Sequence, residues 1–136
     1  MGHCCTETQR FFRICHAVFL ESNYCEKMLA DGMYPEPLKK RIQGKKGHLS
    51  NNQSLEIFLR NRNKDLSHLI LSHLSQNNNT QEIVKQTFAP HAGNTAIIVA
   101  SRYRATEVIT LSEPPEGSGF PLWQLLQKPT RQLSLF

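Results

Sequence analysis

The chain has 136 residues, of which 39% are hydrophobic and 20% charged. That balance fits one globular domain with a modest core and excludes a fibrous or low-complexity chain. No stretch is long and apolar enough to cross a bilayer and the first residues lack a signal-peptide pattern, so a cytoplasmic location is expected. The net charge of +5 favours anionic partners such as nucleic acid. Lys39, Lys40, Arg41, Lys45 and Lys46 concentrate that charge in one short stretch, which is equally the pattern of a solvated basic face. The four cysteines (Cys4, Cys5, Cys15, Cys25) show no CxxC spacing and are expected to be reduced thiols.

In chain order, Thr6 to Ile14 is predicted to be helical, with Thr6 as N-cap and Phe11, Phe12 and Ile14 as apolar anchors. His16 to Glu21 reads as a short buried strand ending in a charge. A second helix is expected over Cys25 to Ala30, stopping near Asp31-Gly32. Pro35 and Pro37 open a short helical piece, Leu38 to Ile42, which closes at Gly44. After a loop at Gly47 to Asn51, Leu55, Phe58 and Leu59 give helical spacing to Asn52–Leu59. Ser67 to Ser72 is strand-like. Thr80 is the N-cap of a helix running through Phe88. Thr95 to Ala100 is a continuous apolar strand, and Thr106 to Leu111 alternates as an outer one, with Ser101 to Arg104 as the hairpin turn. The order α-β-α-α-α-β-α-β-β marks a layered α/β sheet.

Two histidines stand where regular structure breaks: His48 in Gly47-His48-Leu49-Ser50-Asn51, and His73 in Leu71-Ser72-His73-Leu74-Ser75. Alternation along Ser67 to His73 sends Leu69, Leu71 and His73 to one face of the strand, so His73 emerges at its end on a rigid support suited to a metal ligand. Parallel neighbours bring their strand ends together, which places Glu21 near these loops. A Glu21–His48 contact then forms an acid/base pair, or merely ties a loop. The segments are rich in short polar side chains. Ser50, Asn51, Ser75 and Asn78 are the candidate phosphate-oxygen ligands.

Four stretches carry a resemblance: Val18-Phe19-Leu20-Glu21-Ser22-Asn23-Tyr24, Tyr34-Pro35-Glu36-Pro37-Leu38-Lys39-Lys40-Arg41-Ile42, Gly47-His48-Leu49-Ser50-Asn51, and Leu71-Ser72-His73-Leu74-Ser75 with its asparagines. In this order they resemble the C-terminal half of a metallo-β-lactamase-fold hydrolase of the YycJ/WalJ-like branch. The resemblance implies the C-terminal half of an αββα sandwich over residues 1–111. It also implies phosphodiester hydrolysis at a two-metal site of zinc or manganese, with DNA as substrate. His73 matches the final metal-binding histidine. His48 matches a proton donor of the related RNase Z enzymes, and Glu21 the carboxylate beside it.

The chain departs from that pattern at Cys25, where the family usually has an acid, and in lacking the HxHxDH metal-binding motif, the next histidine and the bridging aspartate. Met1-Gly2-His3 resembles the sequence just after that aspartate, so the chain is expected to start mid-fold and to be inactive alone. Such a half-fold would expose a sheet edge and invite self-association.

Residues 112–136 differ in composition. Pro114 to Gly119 reads as a linker, and Gln132-Leu133-Ser134-Leu135-Phe136 resembles the peptide by which bacterial replication and repair proteins bind the β sliding clamp. In that reading Gln132 supplies orienting hydrogen bonds while Leu133, Leu135 and Phe136 provide apolar contacts. Two functions are therefore expected: a fragment of an exonuclease-like, metal-dependent hydrolase tethered to the clamp, or a non-catalytic remnant that binds clamp and nucleic acid. A small-molecule phosphodiesterase is a third, and leaves the tail unexplained.

Overall fold

Three short apolar runs, joined by helices, make the centre of the molecule. A computed structural model describes residues 5–111. The expected linker and tail, including Gln132, Leu133, Leu135 and Phe136, lie outside them. The elements are α1 (Thr6–Phe12), β1 (Ala17–Glu21), α2 (Glu26–Asp31), α3 (Glu36–Gln43), α4 (Asn51–Asn61), β2 (His68–Ser72), α5 (Gln81–Phe88), a single 3-10 turn (Ala89–His91) and β3 (Ala96–Val99). Among the described residues no helix is long and apolar enough to cross a membrane.

The strands form one sheet in the order β1-β2-β3, and both pairings are parallel. Parallel neighbours require crossovers, and the helices supply them: α2 to α4 between β1 and β2, α5 between β2 and β3. Register puts Leu20 opposite Leu71 and Glu21 opposite Ser72, and Leu71 opposite Val99. Val18, Leu20, Leu69, Leu71, Ile97 and Val99 thus share one face, and all belong to or pack on the core cluster with Phe12 of α1, Phe58 of α4, and Val84 and Phe88 of α5. The other face is unevenly covered, with Ile70 of β2 buried. Phe19 there is 74% exposed.

Helix starts follow side-chain chemistry. Ser50 caps α4 in a capping box with Gln53, and Thr80 caps α5 by accepting from the Ile83 N–H. Cys5, not Thr6, caps α1, its sulfur accepting from the Thr8 N–H.

The expected outer strand at Thr106–Leu111 does not form, and Val108 is 95% exposed. A hairpin needs the chain to reverse after β3. Instead Arg102 donates to Leu74 O at 2.5 Å and to Gln76 Oε1 at 3.4 Å, anchoring the chain beyond the end of β2. All three strands therefore remain parallel.

Candidate active site

Glu21 is the last residue of β1, and parallel register sets it beside Ser72, the last residue of β2. His73 follows at once with a left-handed backbone, φ 61°. Histidine is among the few non-glycine residues that take this conformation readily. The turn interrupts the alternation expected through His73 and directs its ring to Glu21 instead of the face of Leu69 and Leu71. His48 arrives from the third side. Gly47 lies so close to the end of α3 that a Cβ there would collide with the Ile42 carbonyl oxygen, and the His48 N–H donates to that oxygen at 2.8 Å. The glycine thereby lets the loop turn tightly enough to deliver the imidazole.

One carboxylate oxygen serves both rings. Glu21 Oε1 lies 2.6 Å from His48 Nδ1 and 2.7 Å from His73 Nδ1, lengths characteristic of charge-assisted bonds. Glu21 Oε2 accepts from the Leu49 N–H at 3.4 Å. Burial raises the Glu21 pKa more than any other single influence, but hydrogen bonds from His48 and then His73 lead the influences that bring it below its ordinary value. The ionised carboxylate only accepts, so each ring donates from Nδ1 and keeps Nε2 as its outward nitrogen. The rings meet edge to face with centroids 5.1 Å apart.

Behind the histidines lies a buried polar frame. Asn51 and Asn79 exchange side-chain amide hydrogen bonds at 2.8 and 3.0 Å. Ser22 Oγ donates to Asn51 Oδ1 at 2.7 Å, and Asn79 Nδ2 also donates to the carbonyls of Ser22 and Asn23. Asn23 Nδ2 donates to the His73 carbonyl at 2.6 Å, pinning the left-handed turn. Ser54 Oγ donates to the Glu21 carbonyl, tying α4 to the end of β1. No buried side-chain polar atom among the described residues lacks a partner. Such a network is satisfied throughout, and so it rigidifies the site instead of destabilising it.

This frame relocates several candidate phosphate ligands. Ser50 is fully buried, its hydroxyl spent on the α4 cap and on Glu26 Oε1 at 2.8 Å. Asn51 and Asn78 are buried too. Asn51 belongs to the frame, and the Asn78 carbonyl accepts from the Cys25 N–H at 2.8 Å. These three shape the site from within. Ser75 lines an open groove. Cys25 sits at the N-cap of α2 without a side-chain capping bond. Its neighbour Glu26 holds Ser50 and Asn52. The sequence pattern marks the runs containing Asn23 and Asn79 as ligand-orienting, and the structure spends both side chains on the frame; the pattern offers no signal for Glu26.

Glu21, His48 and His73 offer ligand atoms all within 4.8 Å of one another and could together hold a metal ion. Two imidazoles and a carboxylate are a donor set suited to divalent transition ions. The structure therefore brings three residues together where the sequence reading set His73 alone against the metal.

No protein-family model matches the chain, and no solved structure matches it significantly. Curated proteins do. Exodeoxyribonuclease WalJ from two strains of Streptococcus pneumoniae is 35% identical over 68 residues, covering 50% of this chain and 25% of WalJ. Exodeoxyribonuclease YycJ from Bacillus anthracis is 32% identical over 72 residues, covering 53% of this chain and 27% of YycJ. The match thus spans about a quarter of the length of these relatives. Over roughly half of its own length, this chain is similar to proteins named exodeoxyribonuclease WalJ and YycJ.

Proposed function

We propose that this chain carries the proton-donating edge of a metal-dependent phosphodiester hydrolase, an exonuclease-like enzyme acting on DNA in the cytoplasm. The observation that supports it is the single Glu21 oxygen shared by two imidazoles, in a chain similar to proteins named exodeoxyribonucleases. In this reading the sheet is one half of an αββα sandwich, and residues 1–111 are its C-terminal portion. Glu21 fixes the tautomer of both rings. His73 presents Nε2 as a metal ligand, in the carboxylate–histidine–metal arrangement that raises ligand basicity. In its imidazolium form His48 carries a proton on Nε2 as well as on Nδ1, and it gives the Nε2 proton to the leaving oxygen while Nδ1–H stays with Glu21. Ser75 contacts the phosphate. Zinc or manganese, when bound, would supply an activated water and polarise the phosphate.

The sequence contains no HxHxDH, so the remaining ligands of a two-ion centre belong to a segment outside it. Gln132, Leu133, Leu135 and Phe136 dock on the β sliding clamp, with residues 112–136 as linker and terminal peptide, keeping the domain at high local concentration near DNA.

The test joins this chain in frame to the portion of Streptococcus pneumoniae WalJ that precedes the matched stretch and assays end-labelled DNA with manganese or zinc. The chain alone is expected to leave DNA intact, the joined protein to degrade it, and His48→Ala to slow it by ~10²–10⁴-fold. A folded joined protein that binds DNA and clamp without hydrolysis would overturn the catalytic reading in favour of a binding remnant.

A further inference from the structure

Beside the histidines lies a groove of about 590 Å³, walled by Leu74–Gln76, by the start of α5 and by Ala100–Arg104. It opens at the C-terminal ends of β2 and β3, the edge where parallel sheets seat ligands. One wall begins at Leu74, the residue after His73, so the groove adjoins the candidate site although Glu21, His48 and His73 do not line it.

Its chemistry is specific. Arg102 is fixed by hydrogen bonds to Leu74 O and Gln76 Oε1. Both acceptors are neutral, so its positive charge is held in place without being cancelled. Arg104 also lines the groove, its N–H donating to Ser101 Oγ. Neither arginine has an ion-pair partner among the described residues. Between them Tyr103 is 78% exposed, with its ring in solvent. Glu82 is the carboxylate on the lining, which leaves the two arginines in excess. A pair of uncompensated guanidinium groups flanking an exposed aromatic ring is the composition that holds single-stranded nucleic acid: cations follow the backbone while a base stacks on the ring. Inside a duplex both faces of a base are covered by its stacked neighbours, whereas an unpaired segment can turn a face to the ring.

Building on the DNA-directed reading above, we propose that this groove seats the unpaired DNA segment next to the scissile phosphate, with Tyr103 stacking on a base and Arg102 and Arg104 on the flanking phosphates. The groove thereby selects single-stranded ends over duplex.

Fluorescence anisotropy on the full chain with a short labelled oligothymidylate tests this. Tyr103 and Arg104 are exposed, so their variants leave the fold intact. Tyr103→Ala is expected to weaken binding about fivefold or more with the salt dependence unchanged, and Tyr103→Phe to restore it. Arg104→Gln is expected to weaken binding and reduce the salt slope by ~0.7. A duplex of the same length is expected to bind less tightly. Wild-type binding that survives Tyr103→Ala and Arg104→Gln unchanged, or that prefers duplex, overturns the groove assignment while sparing the DNA-directed reading. Wild-type protein that binds neither form of DNA overturns that reading, and the groove assignment with it.

Discussion

A single carboxylate oxygen accepting from two imidazoles couples three residues to one protonation state. Because the Glu21 pKa is lowered in the fold, its ionised form stabilises the protein above the unfolded glutamate value, ~4.3, and that stabilisation is lost as pH falls through the lower folded value. Thermal melts of the metal-free chain across pH should therefore show wild type more stable than Glu21→Gln near neutrality, with the two curves converging in acid. Asn79 matters for a different reason. Its side chain satisfies Asn51, two backbone carbonyls and the Thr80 N–H, so Asn79→Ala strands buried polar groups at about 1–3 kcal/mol each. Urea denaturation should show a loss of at least that size. The His73 turn, held through Asn23, should loosen as well, and broadening of the His73 ring resonances would report it.

At the scale of elements, the α4 cap is the most exposed to a single change. Ser50→Ala removes the capping oxygen and leaves Glu26 Oε1 without its hydroxyl donor, so chemical denaturation should show a loss of about 0.5–2 kcal/mol. The capping box Ser50-x-x-Gln53 was present in the sequence, but reading Gly47–Asn51 as a loop hid it. Thr80 at the start of α5 was legible because its signal stood before a clean apolar period. The three parallel strands were legible too, as short apolar runs of the right length. Thr106–Leu111 misled because alternation signals a surface able to be half-buried, without saying that a partner strand is presented to it. In the site, parallel strand ends account for Glu21 meeting His73, whereas His48 reaches them from the tight turn after α3. The burial of Ser50, Asn51 and Asn78 was not legible, since a short polar side chain binds backbone and ligand with the same atoms. Nor does alternation reveal a left-handed residue such as His73.

Over the whole molecule, α1, α4 and α5 close one face of the sheet, while Phe19 stands on the other. An apolar ring standing in solvent favours association. Sedimentation equilibrium should show concentration-dependent assembly of the full chain, reduced by Phe19→Thr, a β-branched substitution that suits the strand. Persistent assembly in the variant would place the contact elsewhere.

The parallel sheet also gives the molecule two ends of unequal importance. Glu21, His73 and the groove all lie at the carboxyl ends of the strands, whereas Ala92–Thr95 leads into the start of β3 at the opposite edge. Five strand residues at ~3.3 Å each separate the two by about 17 Å. Asn94 is exposed there, beside Gly93 with its left-handed φ of 58°. A fluorophore, an affinity handle or a new pair of chain ends can be placed at Asn94 without touching the chemistry. The protein thus offers a natural attachment point from which its far side can be watched at work.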